Sequence, residues 1–364
     1  MWIFFVLMPI LHTIGNIYIY FRGWQALRSQ SFGVKTLLTI LYWGCALSLF
    51  ASFLFRDINI PAGIAQTVSQ VGTGWLVFTL YMVIFLVLFD INRLFNRRFR
   101  YGFFCSFFLT LCLLAYGNYN YMHPEIRVIN MVINKQIKGD NKQMRVVGIS
   151  DVHLGYATNK SMLAGYVEQI NSLNPDLVVI AGDLIDNSVV PLWHERMYEE
   201  LYDIKAPLGI YMVPGNHEYI SGIGKCEEFL AKTPITLLRD SAAMLENGVW
   251  LVGRDDRHNR HRKGVDEMAD MADREMPVIM LDHQPFELEA SAKAGVDLQF
   301  SGHTHRGQVW PLSLIVDRMF ELSYGMKRIG ESHIYVSSGL SLWGPPYRIG
   351  TDSEIVVFDI KFKE

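Results

Sequence analysis

Asp176-Leu177-Val178-Val179-Ile180-Ala181-Gly182-Asp183 is the stretch on which the fold reading rests. An unbroken apolar run between Asp and Gly describes a strand buried on both faces, with an acid at its C-terminal end. The pattern recurs on either side. Arg145–Ser150 precedes Asp151 and His153, and Gly209–Val213 precedes Asn216 and His217. Pro277–Leu281 precedes His283, and Val296–Phe300 precedes His303 and His305. Ligands of open α/β sheets bind outside the carboxyl ends of the strands, so this spacing gathers acids, an amide and imidazoles along one edge.

The donor chemistry is specific. Asp151, His153, Asp183, Asn216, His283, His303 and His305 offer nitrogen and oxygen without a thiolate. Such a set suits Mn, Fe, Zn or Co better than a soft metal or an all-oxygen calcium cage. It is too large for one four- to six-coordinate ion and fits two divalent ions. Two ions about 3.5–4 Å apart form a clamp for in-line displacement at phosphorus.

In chain order the motifs are Asp-x-His at 151–153, Gly-Asp-x-x-Asp at 182–186 and Gly-Asn-His-Glu at 215–218. A single His283 before Gln284-Pro285 and Gly-His-x-His at 302–305 follow. Together they resemble the calcineurin-like metallophosphoesterases, over roughly residues 144–360. The chain most resembles the membrane-attached bacterial branch, transmembrane proteins with a metallophosphoesterase domain, and is similar to the UDP-2,3-diacylglucosamine hydrolases. Where that branch reads Gly after its last His, this chain has Arg306, which either reaches a substrate phosphate or is solvated.

The resemblance implies an α/β fold, an αββα two-sheet metallophosphoesterase sandwich. It assigns Asp151, His153, Asp183 and His305 to one ion and Asp183, Asn216, His283 and His303 to the other, with Asp183 bridging. It implies attack on phosphorus by a metal-bridging hydroxide. His217 is then the general acid for the leaving oxygen or a donor to phosphate, and Asp186 orients it. The implied substrate is a phosphomonoester, phosphodiester or pyrophosphate. Likeness to the diacylglucosamine hydrolases extends this to a lipid-linked one, although those relatives work on the cytoplasmic side.

The first third of the chain is different. Trp2–Phe21, Leu37–Phe55, Val71–Phe89 and Tyr101–Tyr116 are apolar all round and read as a bundle of four transmembrane helices, the last one short. The expected division is a membrane anchor at 1–118, a linker at 119–143 and the metallophosphoesterase domain at 144–364. Of the 33 Lys and Arg, eight fall in residues 1–118, with two of the 36 Asp and Glu. Arg22, Arg28 and Lys35 occupy the first connection, Arg56 alone the second, and Arg93, Arg97, Arg98 and Arg100 the third. The positive-inside rule then places the catalytic domain on the extracytoplasmic side of a cell (inner) membrane. The remainder holds 25 basic and 34 acidic residues, a balance unlike the basic stripe of a nucleic-acid enzyme. Four cysteines without a Cys-x-x-Cys make no disulfide framework. Nothing in the sequence sets the oligomeric state.

Several segments stay open at this level. Ile126–Ile137 reads as an amphipathic helix or a strand, and the resemblance favours a strand beside the first core strand. Ser161–Leu173, Pro191–Tyr202, Gly224–Lys232 and Phe286–Ala294 read as helices, and Lys263–Arg274 as a helix or loop. Ala243–Leu245 and Val249–Val252 read as a hairpin. Ser332–Ser338 and Glu354–Lys361 are expected to close a second sheet. Arg254-Asp255-Asp256 either lines the mouth of the site or is an ordinary loop. Leu340–Gly350, with Trp343, Pro345, Pro346, Tyr347 and Arg348, resembles a Gly-Pro-rich loop near the metals of the membrane branch. It reads either as a rigid turn or, the favoured role, as an apolar lip with Arg348 on a phosphate, joined by Trp310–Val316 as a membrane-facing wall.

Two other function classes compete. A non-catalytic membrane sensor using the same fold would lack one or more of the donors, and all are present. A transporter regulated by the domain would carry paired charges inside its spans, and the sequence shows none there.

Overall fold

The computed structural model describes residues 2–54, 62–94, 100–139 and 142–363. The end of the second expected span at Phe55, the connection holding Arg56, and Arg97 and Arg98 of the third connection lie outside the described residues. The chain divides into two compact units. One comprises Met1–Asn120 with Gly344–Ile349, the other Tyr121–Trp343 with Gly350–Glu364.

The first unit is helical: α1 (Trp2–Ala26), α2 (Phe32–Leu54), α3 (Ala62–Leu94) and α4 (Gly102–Met122). Among the described residues three helices are long and apolar enough to cross a membrane, at Phe32–Ala51, Gln66–Asn92 and Gly102–Met122. The last runs 21 residues, so the shortness expected of it disappears. Gly72 lets α3 approach α2, since a Cβ there would lie 2.5 Å from the backbone nitrogen of Leu49. Polar groups tie the helices together. Tyr42 Oη and Trp75 Nε1 donate to Asn16 Oδ1 at 2.8 and 2.9 Å, and Asn16 Nδ2 donates to Thr79 Oγ1 at 3.1 Å. His12 Nε2 meets the Ala46 carbonyl at 3.1 Å.

The helices extend past the expected spans, and just beyond those spans Arg22 of α1 grips Asp90 of α3, with Tyr18 Oη donating to Asp90 at 2.6 Å. The apolar windows read from the sequence stop short of both residues. Their pairing depends on contact between helices 68 positions apart.

The hexapeptide Gly344–Ile349 belongs to this unit. Asn118 Nδ2 donates to the Pro346 carbonyl at 3.0 Å, and the Arg348 N–H to the Gly117 carbonyl at 2.8 Å. Gly117 leaves room for Ile349, whose Cγ1 would lie 2.5 Å from a Cβ. Arg348 is fully buried.

The second unit holds two six-stranded sheets. Its strands in chain order are β1 (Glu125–Ile133), β2 (Gln143–Ile149), β3 (Leu177–Ala181), β4 (Ile210–Val213), β5 (Ile235–Leu237), β6 (Ser241–Met244), β7 (Trp250–Gly253), β8 (Val278–Leu281), β9 (Leu298–Ser301), β10 (Gly325–Ile329), β11 (Ser332–Val336) and β12 (Glu354–Phe362). The first sheet runs β1-β12-β2-β3-β4-β5 and the second β10-β11-β9-β8-β7-β6. From β2 to β5 and from β11 to β7 neighbours are parallel; β12 is antiparallel to β2, and β6 and β10 are antiparallel edges.

The last strand was expected in the second sheet and is found in the first. There it separates β1 from β2, so the strand at 125–133 is real but pairs with β12 instead of the first core strand. Apolar alternation shows that such strands are buried, and does not say which long-range partner they take.

The alternation explains the continuous apolar runs. On β2 and β3, Val147, Ile149, Val178 and Ile180 face one core, while Val146, Leu177, Val179 and Ala181 face the other. The first core lies under α5 (Lys160–Ser172), α6 (Val190–His194), α7 (Tyr198–Tyr202) and, beyond the short α8 (Asn216–Ser221), α9 (Ile223–Leu230). The second lies between the sheets, around Phe300, Tyr335 and Phe358. A third lies under α10 (Val265–Ala269) and α11 (Leu288–Lys293), and α12 (Ser313–Met319) follows β9. The layers are those of an αββα sandwich. The single helix expected over Pro191–Tyr202 is two short ones, because Arg196 between them takes φ 55°.

Phe300 fills the space between the sheets that Gly148 leaves, where a Cβ would come within 2.9 Å of its ring. Phe300→Ala is expected to cost about 3–5 kcal/mol of stability. Denaturant unfolding of the detergent-solubilised protein measures it, and a cost below about 1 kcal/mol would contradict this packing.

Candidate metal centre

The donors of the sequence reading converge at the carboxyl ends of β2, β3, β4, β8 and β9. Asp151, His153 and His305 form one group, and Asp183, His283 and His303 another, each with ligand atoms within 4.8 Å of one another. A third overlapping group joins His153, Asp183 and His217. His153 Nε2 lies 3.2 Å from His305 Nε2 and 3.9 Å from an oxygen of each of Asp151 and Asp183. His305 Nε2 stands 3.5 Å from Asp151 Oδ1. In the second group His283 Nε2 lies 3.2 Å from Asp183 Oδ2 and 3.1 Å from Asn216 Oδ1, and the His303 ring meets that of His283 at 5.1 Å.

Asp183 is the shared member. Its Oδ1 accepts the His217 N–H at 2.8 Å, so Oδ2 is the oxygen turned to the imidazoles of both groups. Close approach of the loops requires glycine at two places. A Cβ on Gly215 would lie 2.2 Å from Asp183 Oδ1, and one on Gly302 would lie 2.3 Å from Asp151 Oδ2. Asp151, His153, Asp183, His303 and His305 all take φ between 46° and 74°, a region costly for side-chain-bearing residues. Each strand end thereby turns its donor inward instead of continuing along the sheet.

Supporting contacts fix three of the rings. His283 Nδ1 sits 2.7 Å from the Ala181 carbonyl, an acceptor that holds the proton on Nδ1 and leaves Nε2 as the ligand atom. His217 Nδ1 is 3.1 Å from Asp186 Oδ1, and Asp186 Oδ1 is 3.4 Å from His153 Nδ1. Burial opposes a charge on His217, but the Asp186 bond and the Asp183 charge push its pKa up to about 9. Burial likewise opposes the Asp186 charge, and the bonds from His153 and His217 bring it down to about 2.

Glu218, quoted in a motif and given no role there, proves central. It is fully buried, and its carboxylate accepts the N–H groups of Asp183, Ile185 and Gly215 at 3.0, 2.9 and 2.7 Å. It ties the loop after β3 to the loop after β4. Burial and the Asp183 charge raise its pKa to about 7. The only signal in the sequence was a charged residue directly after two site residues.

The remaining expectations divide. Trp343 is half exposed with its ring 6.1 Å from that of His217. Arg306 stands at the rim with its guanidinium 4.6 Å over the Tyr324 ring. Arg254, Asp255 and Asp256 are buried, not a mouth: Arg254 binds Asp282 and Glu287, Asp255 accepts from Tyr219 and Arg239, and Asp256 accepts from Gln284.

The donor set fits two cations. Two groups of imidazole and carboxylate share one oxygen in a buried site. Burial opposes a charge on His283, yet the Asp183 carboxylate beside it holds its pKa well above the ordinary imidazole range. A cation must displace that proton. Metal affinity is therefore expected to fall as pH is lowered through that raised pKa, with protons released on binding. Calorimetry in two buffers of different ionisation enthalpy measures the release; no release below that pKa would contradict the assignment.

Comparisons with known proteins agree with this geometry. The family model of the calcineurin-like phosphoesterases matches residues 144–307. An uncharacterized metallophosphoesterase of Helicobacter pylori is 33% identical over 238 residues, 64% of this chain and 62% of that protein. A transmembrane protein with metallophosphoesterase domain from Danio rerio is 33% identical over 270 residues, 70% of this chain and 61% of its own length. An uncharacterized metallophosphoesterase of Aquifex aeolicus is 29% identical over 263 residues, 70% of this chain and 99% of that protein. The chain spans 62% of the length of the Helicobacter relatives it matches. With the motifs, the two-sheet fold and the shared Asp183 in place, residues 144–307 form a calcineurin-like phosphoesterase domain.

Proposed function

We propose that this chain is a membrane-integral, two-metal phosphoesterase that hydrolyses a phosphoester or pyrophosphate, and that its substrate is lipid-linked. The observation that carries the reading is the Asp183 carboxylate, one oxygen of which serves two groups of donors. Asp151, His153, His305 and Asp183 would hold one divalent cation, and Asp183, Asn216, His283 and His303 the other. Mn, Fe or Zn suits the set, and the pair when bound would acidify water and draw charge from the phosphorus oxygens.

The protein's own groups do the rest. His217 delivers a proton to the leaving oxygen. Its Nδ1 is taken by Asp186, so the proton it gives up is on Nε2. The Asp186 carboxylate beside Nδ1 favours the protonated ring. Trp343, beside His217, offers an apolar edge to the leaving group, and Arg306 offers a cation at the rim.

Hydrolysis by the full-length protein in detergent with Mn²⁺, against bis-p-nitrophenyl phosphate and p-nitrophenyl phosphate in parallel, tests the reading. A chelator is expected to stop turnover, Asp183→Asn to abolish it with the fold retained, and His217→Ala to lower kcat by about 10²–10⁴. Undiminished turnover in Asp183→Asn would remove the site assignment. No turnover of either ester by the wild type would favour a binding protein.

The helical unit supports membrane integration, and the loop charges support an extracytoplasmic domain. Lys293, whose side chain is 81% exposed, gives a place to check this. A membrane-impermeant maleimide is expected to label Lys293→Cys in intact cells; labelling only after lysis would reverse the orientation.

A further inference from the structure

Helix α12 and the turn before it present an apolar face. Trp310, Leu314, Ile315 and Met319 are exposed by 47, 48, 56 and 65%. Four large apolar side chains within ten residues are a cluster, where single exposed ones would need no explanation. Arg318 stands among them and bends its guanidinium back to the Leu314 carbonyl at 2.9 Å, as a cation does when its stem lies along apolar surface.

The same segment is fastened to the candidate metal centre. Phe320, directly after α12, packs edge-on against His303 with ring centroids 5.9 Å apart. Thr304, between His303 and His305, donates its hydroxyl to the Ser323 carbonyl at 2.6 Å. The apolar face and the donors are thus joined by direct contacts.

Its neighbours say what covers it. Trp310 lies against Gly350, where a Cβ would come within 3.3 Å of the Trp310 Cβ, and Thr351 Oγ1 donates to the Gln308 carbonyl at 2.9 Å. Gly350 is where the chain re-enters this unit after Gly344–Ile349. Tyr121, at the end of the apolar helix Gly102–Met122, is where it first enters; its carbonyl accepts from Ser353 Oγ at 3.2 Å. Tyr121, where the chain leaves the apolar helix for the phosphoesterase unit, and Gly350, where it re-enters from the hexapeptide, are therefore at the edge that carries Trp310, three residues before α12. An aromatic residue and a short apolar helix with a bent-back arginine, next to the end of a span, have the chemistry of the bilayer interface.

We propose that α12 and Trp310 lie in the headgroup layer of the bilayer, so that the phosphoester of a membrane lipid reaches the metal centre without leaving the membrane surface. This rests on the reading of the chain as a membrane-integral phosphoesterase, and it specifies the substrate as a lipid phosphoester.

The test uses the full-length protein in vesicles of phosphatidylcholine and phosphatidylglycerol. Cys45, Cys105, Cys112 and Cys226 are replaced by Ala, and a nitrobenzoxadiazole label is placed at Ile315→Cys or, as control, at Lys293→Cys. Lipids brominated in the acyl chain are expected to quench the label at 315 and not at 293. Equal response at the two positions would overturn the proposal. Separately, Leu314→Glu with Ile315→Glu is expected to lower hydrolysis of a vesicle-borne diacylglycerol p-nitrophenyl phosphodiester by about tenfold or more, since each charge opposes interfacial insertion. Hydrolysis of soluble bis-p-nitrophenyl phosphate should be unchanged, which also shows that the variant is folded. Undiminished vesicle hydrolysis would sink the proposal. If the wild type hydrolyses neither ester, the phosphoesterase reading fails on its own, and the label alone decides where α12 lies.

Discussion

The carboxylate of Asp183 is held from both sides. One oxygen accepts the His217 N–H, and the loop carrying that N–H can approach because Gly215 has no Cβ. The other oxygen is thereby turned between His153 and His283, the imidazoles of two different donor groups. Burial opposes this charge, and the nearby His283, more than any other group, keeps it ionised well below the ordinary carboxylate range. Without that orientation the two groups would be separate histidine clusters at neighbouring strand ends.

Holding it there has a conformational cost. Five of the donor residues adopt left-handed backbone, at about 1–2 kcal/mol each. The offset comes from elements that cannot relax. The strands that end at the site are buried on both faces, so their ends are fixed by two cores at once. Glu218 adds a second constraint, since three backbone N–H groups from two loops converge on one buried carboxylate. Strain of this kind concentrates where geometry matters for chemistry.

The donors were legible in the sequence because each follows a run that only a doubly buried strand would carry, and the motif order tied them to one edge. What escaped depends on partners distant in the chain. The neighbour of β12 is set by pairing that apolar alternation does not encode, so the last strand was given to the wrong sheet. Arg22 and Asp90 each looked like flanking charges until the helices extended and faced one another. Glu218 was visible as a letter in a motif, but its three N–H donors come from a fold the letters do not show.

The central claim is that Asp183 joins two cations in one site, and the metal content of the purified full-length protein tests it most directly. Loaded with Mn²⁺, freed of excess ion and measured by plasma mass spectrometry, the wild type should carry two ions per chain. Asp183→Asn should lose both sites together, because each depends on the same oxygen. A single ion per chain in the wild type, or two in the variant, would contradict the account.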